Sequence, residues 1–216
     1  GLGYTFLNNN LTAKIAHQLY RFAFKKADKI LFQNTDDLQT FLDFNLVDKS
    51  KCDIIHGSGI DVEKFHPDFC KSTENKDKDF TRFLMIGRLL KDKGIYEYVE
   101  AAQLVKQQFP KTEFHVLGEI DTQNPSAIQK ETLQSWINDG IIIYHEHAKD
   151  TRPFICAADC VVLPSYREGM PRVILEGMAM GKPCITSDAP GCKDSIVDGE
   201  SGFFCKTANS QSLKEV

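Results

Sequence analysis

The sequence predicts an α/β fold: a parallel sheet wrapped by helices, preceded by the tail of a second α/β unit. Three observations carry this reading. From Thr81 onward, short β-branched or apolar runs alternate with amphipathic stretches, the pattern of strands joined by crossover helices. Gly87 and Gly118 fall where two of those runs end, as tight turns at the carboxyl ends of strands require. With 216 residues, 42% of them hydrophobic and 26% charged, the chain can bury a core as one large or two small domains.

Residues 1–56 read as the C-terminal part of the first unit. Thr12–Lys26 is amphipathic, Lys29–Gln33 reads as a strand, Thr35 caps a helix beginning Thr35-Asp36-Asp37-Leu38, and Cys52–His56 reads as a second strand. Residues 57–80 read as hinge and linker: a glycine-rich turn over His56-Gly57-Ser58-Gly59-Ile60-Asp61, then a polar stretch over 68–80 whose composition also allows disorder. Residues 81–216 form the main unit. Its strands are Arg82–Ile86, Glu113–Leu117, Ile141–Tyr144, Cys160–Leu163, Cys184–Thr186 and a short Phe203–Cys205. Helices are expected over Gly94–Phe109, Pro125–Asp139, Thr151–Ala157, Pro171–Met180 and Cys192–Val197. Ile95, Tyr98, Val99, Ala102, Val105 and Phe109 recur at helical spacing, which marks a core-facing stripe rather than an aromatic binding box. The chain starts without Met and ends as a helix begins at 210–216, so it reads as a piece of a longer protein.

Composition narrows the function. A net charge of −4 without a long Lys or Arg cluster argues against nucleic acid, whose phosphates demand clustered cations. No apolar run of about eighteen residues and no signal peptide is visible, which sets the expectation of a cytoplasmic location. Lys14, Arg21, Lys25 and Lys26 share the first helix with Ile15, Leu19, Phe22 and Phe24. That mixture suits either an ordinary solvated face or peripheral contact with an anionic membrane at its inner face. The seven cysteines, 52, 70, 156, 160, 184, 192 and 205, read as reduced small hydrophobes. Cys156 and Cys160 lack a second pair, and His145-Glu146-His147 lacks a third ligand, so no metal site is expected.

Two loops carry the chemistry. Ser165-Tyr166-Arg167-Glu168-Gly169-Met170-Pro171 leads into a helix containing Glu176 and stopped by Gly181-Lys182-Pro183. At roughly 1.5 Å per residue, Glu176 lies on the order of 8 Å beyond the helix start, while Glu168 precedes it. The two carboxylates can address two ends of one ligand, with the amides near Gly169 free to hold a phosphate. The second loop, Gly87-Arg88-Leu89-Leu90-Lys91-Asp92-Lys93-Gly94, offers Arg88 and Lys93 to neutralise a diphosphate as its leaving oxygen gains charge. An acid–base glycosidase pair is the competing reading of the two glutamates. Their placement at one helix start, beside two cations, favours transfer from an activated sugar.

Residues 165–205 resemble the signature region of retaining glycosyltransferase family 4, whose Glu-x7-Glu motif Glu168 and Glu176 match. The strand Cys160-Val161-Val162-Leu163-Pro164 before it, and Gly191 and Asp198-Gly199-Glu200-Ser201-Gly202-Phe203 after it, make the string specific; the resemblance is strong over 82–205 and weaker over 1–66. It implies a GT-B fold of Rossmann-like domains, with residues 81–216 binding the donor, 1–56 belonging to the acceptor side, and the 56–61 turn as the hinge. It implies a nucleoside diphosphate sugar as donor, expected to be UDP-linked, bound without metal or cofactor. Arg88 and Lys93 would contact the diphosphate, Glu168 the sugar, and Glu176 the ribose hydroxyls. Gly169, Met170 and Pro171 would shape the sugar and phosphate pocket, Gly87 would let the chain turn tightly at the strand end, Gly118 would keep the cleft open, and Tyr144 and His145 would lie at the nucleobase. Glu168, Arg88 and Lys93 are then the catalytic candidates, the donor phosphate itself acting as base and no protein nucleophile being required. The acceptor would be a saccharide or a polyprenyl-diphosphate-linked glycan; the opening Gly1–Phe6 is similar to members that add N-acetylhexosamines to undecaprenyl-diphosphate acceptors. Two alternatives stay open: a 2-epimerase of the same fold acting on UDP-sugars, and an inactive sugar-nucleotide-binding module, since the fragment alone can lack the acceptor side.

Overall fold

The computed structural model describes residues 11–71 and 79–216; Gly1–Phe6 and linker positions 72–78 lie outside the described residues. The first unit comprises α1 (Leu11–Lys25), β1 (Ile30–Phe32), α2 (Thr35–Asp43) and β2 (Cys52–Ile54). β1 and β2 pair in parallel, Ile30 opposite Cys52, over a small core of Ile30, Phe32, Phe41 and Leu46. Asn34, not Thr35, caps α2: its backbone is extended (φ −152°, ψ 163°) and its side-chain oxygen accepts the Asp37 N–H at 2.7 Å. Both residue types cap well, and the extended backbone at 34 decides between them. The half-buried Arg21 donates from its guanidinium to the Phe44 and Asn45 carbonyls at the end of α2, in bonds that stay at the surface.

Residues 60–71 pack against the main unit. Phe65 is buried with Leu84, Ile155 and Met180, and Ile60 and Phe69 join it. The short α3 (Asp68–Lys71) brings Cys70 onto Cys156, and the two form a disulfide with their Cα atoms 5.1 Å apart. This corrects the expectation of seven reduced cysteines; the pair is 86 residues apart in sequence, and no local pattern announces it. Cys160, Cys184, Cys192 and Cys205 are buried thiols. Burial pushes the first two up to about 12 and the others up to about 11, so they behave as inert small hydrophobes.

The main unit runs β3 (Thr81–Ile86), α4 (Ile95–Gln108), β4 (Thr112–Leu117), α5 (Lys130–Asn138), β5 (Ile143–His145), α6 (Arg152–Ala157), β6 (Cys160–Leu163), α7 (Arg172–Ala179), β7 (Cys184–Ser187), β8 (Gly202–Cys205) and α8 (Ser210–Glu215). Its six strands are all parallel, in the order β5-β4-β3-β6-β7-β8. One face is covered by α4, α5 and α8 through Tyr98, Val99, Leu133 and Leu213; the other by α6 and α7 through Ile155 and Ile174. The chain proceeds outward in one direction from β3 and in the other from β6. That reversal opens a crevice at the carboxyl ends of β3 and β6, the place where such sheets bind ligands.

Three predicted elements shift. The helix expected over Pro125–Asp139 begins at Lys130, because the preceding stretch folds back onto the β3 loop, with Lys91 N–H donating to Ser126 O and Ile128 N–H to Leu89 O. The strand expected over Ile141–Tyr144 is Ile143–His145; Ile141 and Ile142 are buried ahead of it. The helix expected over Cys192–Val197 is a hydrogen-bonded turn, in which the Ser195 hydroxyl and N–H both return to the Cys192 carbonyl. α7 is eight residues long with Pro171 as its N-cap.

Candidate functional site

The loops that leave β3 and β6 meet over the crevice. Gly94 has φ +76°, and a Cβ there would overlap the Pro164 carbonyl oxygen. Glycine therefore permits both the left-handed turn and the approach of the two loops. Above it, Tyr166 N–H donates to Asp92 O at 2.9 Å and the Tyr166 hydroxyl donates to Glu97 Oε1 at 2.6 Å. These bonds carry Lys93 to Glu168: Nζ and Oε1 are 2.5 Å apart, and the Ser165 hydroxyl donates to the same oxygen at 2.7 Å. The side chains of Lys93 and Glu168 are only 23% and 12% exposed, so this is a partly desolvated, charge-assisted contact. Ser165 is itself fixed, its carbonyl accepting the Ser187 hydroxyl.

The Glu168 backbone is held as firmly as its carboxylate. Its N–H donates to Pro190 O at 3.0 Å, and Gly191 (φ +76°) lies so close beneath that a Cβ would overlap the Glu168 and Gly169 carbonyls. Contacts from the first unit complete the loop. Arg167 donates through Nε and a terminal nitrogen to Asp37 Oδ1 at 2.9 and 2.6 Å, and Asn34 Nδ2 donates to the Gly169 carbonyl at 2.8 Å. Sequence reasoning missed Asn34, Asp37 and Arg167 as site-building residues. Their partners are more than 125 residues away, and no local spacing signals the contact.

Glu176 lies in the second turn of α7, 13% exposed at its side chain, with Arg172 3.9 Å away. Burial raises its carboxyl above the ordinary value, against the smaller opposing pull of Arg172 and Lys64. Arg88 is exposed and pairs with Asp121 at 2.9 Å, so the two cations from the β3 loop are held by different carboxylates. Gly118 abuts Gly87, where a Cβ would overlap the Gly87 carbonyl oxygen. The Tyr144 hydroxyl donates to Gly118 O at 2.8 Å. His145, the next residue, takes the other face of the strand, as alternation requires. Its Nε2 is 2.9 Å from His115 Nδ1 and its ring lies 5.0 Å from that of Phe154. Burial, then neighbouring His115, keeps its pKa low. The structure therefore brings Lys93, Ser165, Glu168, Gly169 and the start of α7 together, sets Arg88 and Glu176 at other positions on the two loop-helix units, and turns His145 toward α6. Pro171 and Gly169 are buried and Met170 is half-buried. Among the described residues, no three His, Cys, Asp or Glu side chains converge as metal ligands.

This arrangement places a cation, a carboxylate, a hydroxyl and a helix N-terminus at one sheet crevice, with a second cation and a second carboxylate on the same two loop-helix units, the kinds of donor and acceptor that a phosphorylated, hydroxyl-rich ligand needs. Comparison with known proteins gives it a family. The family model for glycosyl transferases group 1 matches residues 68–216. The chain is 32% identical to the N,N'-diacetylbacillosaminyl-diphospho-undecaprenol alpha-1,3-N-acetylgalactosaminyltransferase of Campylobacter jejuni, over 100% of the chain and 58% of that protein. It is 27% identical to the UDP-Gal:alpha-D-GlcNAc-diphosphoundecaprenol alpha-1,3-galactosyltransferase of Escherichia coli, over 89% of the chain and 51% of that protein. Among solved structures, sucrose-phosphate synthase from Thermosynechococcus elongatus superposes with a TM-score of 0.78 at 19% identity, covering 100% of this chain and 55% of that one. Anabaena HepE in complex with UDP gives 0.79 at 19%, covering 97% and 57%. The chain spans about half the length of the curated relatives it matches. It has the α/β fold of the GT-B type, and it belongs to the group 1 glycosyl transferases.

Proposed function

We propose that residues 81–216 bind a nucleoside diphosphate sugar, expected to be UDP-linked, for transfer of a hexose or N-acetylhexosamine with retention of configuration. The acceptor is a saccharide or a polyprenyl-diphosphate-linked glycan. The observation that carries the reading is the Lys93–Glu168–Ser165 cluster at the β3/β6 crevice. On this reading the diphosphate lies on Lys93 and Arg88, exchanging their carboxylate partners for phosphate oxygens and receiving charge stabilisation as the bond to the sugar breaks. Glu168 then accepts hydrogen bonds from the sugar hydroxyls, and Glu176 from the ribose hydroxyls. Gly169, Met170 and Pro171 border the sugar and phosphates, Gly87 allows the tight turn at the end of β3, Gly118 puts no side chain into the cleft, and the Tyr144 end of β5 borders the base. The donor phosphate serves as base toward the incoming hydroxyl, so no covalent role falls to Glu168, and the site uses no metal or cofactor.

Residues 1–56 are proposed as the C-terminal part of the acceptor-side domain, with 57–80 as hinge and linker; a separate two-stranded sheet and separate core over the first unit support that division. Peripheral membrane contact is supported by α1. Leu11, Ile15, Leu19 and Phe22 lie along one helical face at 53–74% exposure, with Lys14 and Lys25 on the same helix. Because the chain spans only part of its relatives, a second reading holds that it binds donor without turnover.

Titration calorimetry with UDP, GDP and UDP-N-acetylglucosamine in metal-free buffer tests the proposal. Saturable UDP binding by the wild-type chain, weakened at least tenfold in Arg88→Ala, is the expected result. A folded chain that binds none of the three, or an Arg88→Ala variant that binds as wild type, refutes the assignment of this crevice.

A further inference from the structure

The sugar-binding carboxylate assigned above stands on a loop whose geometry is set from the other unit. Asn34 is 1% exposed and uses both ends of its amide. Oδ1 accepts the Asp37 N–H and caps α2, while Nδ2 donates to the carbonyls of Glu168 at 3.3 Å and Gly169 at 2.8 Å. Those carbonyls belong to the Glu168–Gly169 and Gly169–Met170 peptides, just before α7. Asp37, three residues on, binds the Arg167 guanidinium at 2.6 Å with both side chains under 20% exposed. Thr40 Oγ1 accepts a further Arg167 bond at 3.2 Å. Lys193, below the same loop, pairs with Asp36 at 3.1 Å. The packing is equally close: a Cβ on Gly169 would overlap the Gln33 amide oxygen, and one on hinge residue Gly57 (φ +69°) would come 2.6 Å from Met170 Cγ. Residues 167, 168, 169 and 170 are each in contact with the first unit or the hinge.

Resting on the donor-site reading, we propose that Asn34 and Asp37 are positioning residues that couple docking of the first unit to recognition of the donor sugar. Neither reaches the ligand. They fix the peptides that aim the Glu168 carboxylate, and a hydrogen-bonding group must be held to within about 0.5 Å to be effective. Parting the two units removes the Asn34 bonds and the Asp37–Arg167 pair together, so Glu168 loses its aim at that moment. Arg88, by contrast, is held within the main unit by Asp121, and Glu176 is carried by α7. The nucleotide half of the donor can therefore bind whether or not the units are docked, whereas the sugar half is gripped only when they are. The arrangement makes sugar recognition conditional on closure.

The test compares UDP with UDP-N-acetylglucosamine, UDP-N-acetylgalactosamine, UDP-glucose and UDP-galactose by titration calorimetry on wild type, Asn34→Ser and Asn34→Asp, with melting temperatures recorded. Serine keeps a cap for α2 but is too short to reach the 168 and 169 carbonyls. Aspartate keeps the cap acceptor and lacks the amide donors, so it supplies the same comparison should the serine variant fail to fold. The expected result is a UDP affinity within about twofold of wild type and a fall of about tenfold in the preference for the best UDP-sugar over UDP. Asp37→Asn, which retains the shape but not the charge opposite Arg167, should lower that preference by a smaller factor in the same direction. An unchanged preference in a folded Asn34 variant, or equal loss for UDP and UDP-sugar, overturns the coupling while leaving the donor site standing. A wild-type chain that binds no UDP removes the reading on which it rests.

Discussion

Glu168 and Glu176 sit eight residues apart on one loop-helix unit and occupy opposite settings. Glu168 has its charge answered at close range by Lys93 at 2.5 Å and by the Ser165 hydroxyl at 2.7 Å, and its backbone is pinned from Pro190, Gly191 and the first unit. Glu176 is equally hidden but nearly unanswered: Arg172, itself 61% exposed, stands 3.9 Å away, and burial raises its carboxyl. A buried carboxylate without close donors is costly. The difference teaches that a short motif can carry one carboxylate already fixed in place and another still lacking the donors it would accept from. In the proposed function those donors are the hydroxyls of a ribose.

The largest effect expected on this contrast comes from Lys93→Ala. It strands the Glu168 charge and removes a phosphate contact, and should weaken UDP binding by about 100-fold, or about 3 kcal/mol; calorimetry checks it, and a loss under fivefold breaks the claim that Lys93 serves both groups. Next is Gly191→Ala, which forces a left-handed residue against the Glu168 and Gly169 carbonyls. It should cost about 2–4 kcal/mol of stability, read from denaturant unfolding, with the sugar preference lost in the material that folds. Glu168→Gln keeps the size and removes the charge. It should abolish most of the preference for UDP-sugar over UDP, about tenfold, while UDP alone binds as before.

The smallest effect belongs to Glu176→Gln. Because the folded-state pKa of Glu176 lies above its ordinary value, the native chain holds this proton more tightly than the unfolded one. Stability therefore falls as pH rises from the ordinary glutamate range through the folded-state pKa, and stays lower above it. The glutamine variant should lose that slope and melt slightly higher at pH 7, while binding UDP several-fold more weakly. Thermal melts across pH 4 to 8 decide it, and an unchanged slope would show that another group carries the penalty.

What was legible in the sequence was local. The alternation of strands and helices after Thr81, the Glu168/Glu176 spacing and the Gly87–Gly94 loop are patterns of adjacent residues; the alternation folds into the expected parallel sheet, and the two loops follow β3 and β6 in it. What was not legible depends on distance or on a small register error. The β5 boundary lies two residues later than the apolar run suggests, and because faces alternate, Tyr144 and His145 point apart rather than together. The Asn34 and Asp37 contacts and the Cys70–Cys156 disulfide join segments 86 or more residues apart. The capping side chain at Asn34 does leave a trace, since Asn34, Thr35, Asp36 and Asp37 are all cap-competent residues, but nothing in that run says that the spare amide donors reach another unit.

The most direct test of the central claim is a crystal structure of this chain with a UDP-sugar bound. The expected structure has the diphosphate on Arg88 and Lys93, the ribose hydroxyls on Glu176, and the sugar hydroxyls on Glu168 with the Asn34 bonds intact. A nucleotide bound away from the β3/β6 crevice, or within it but with Glu176 facing no ribose hydroxyl, would contradict it.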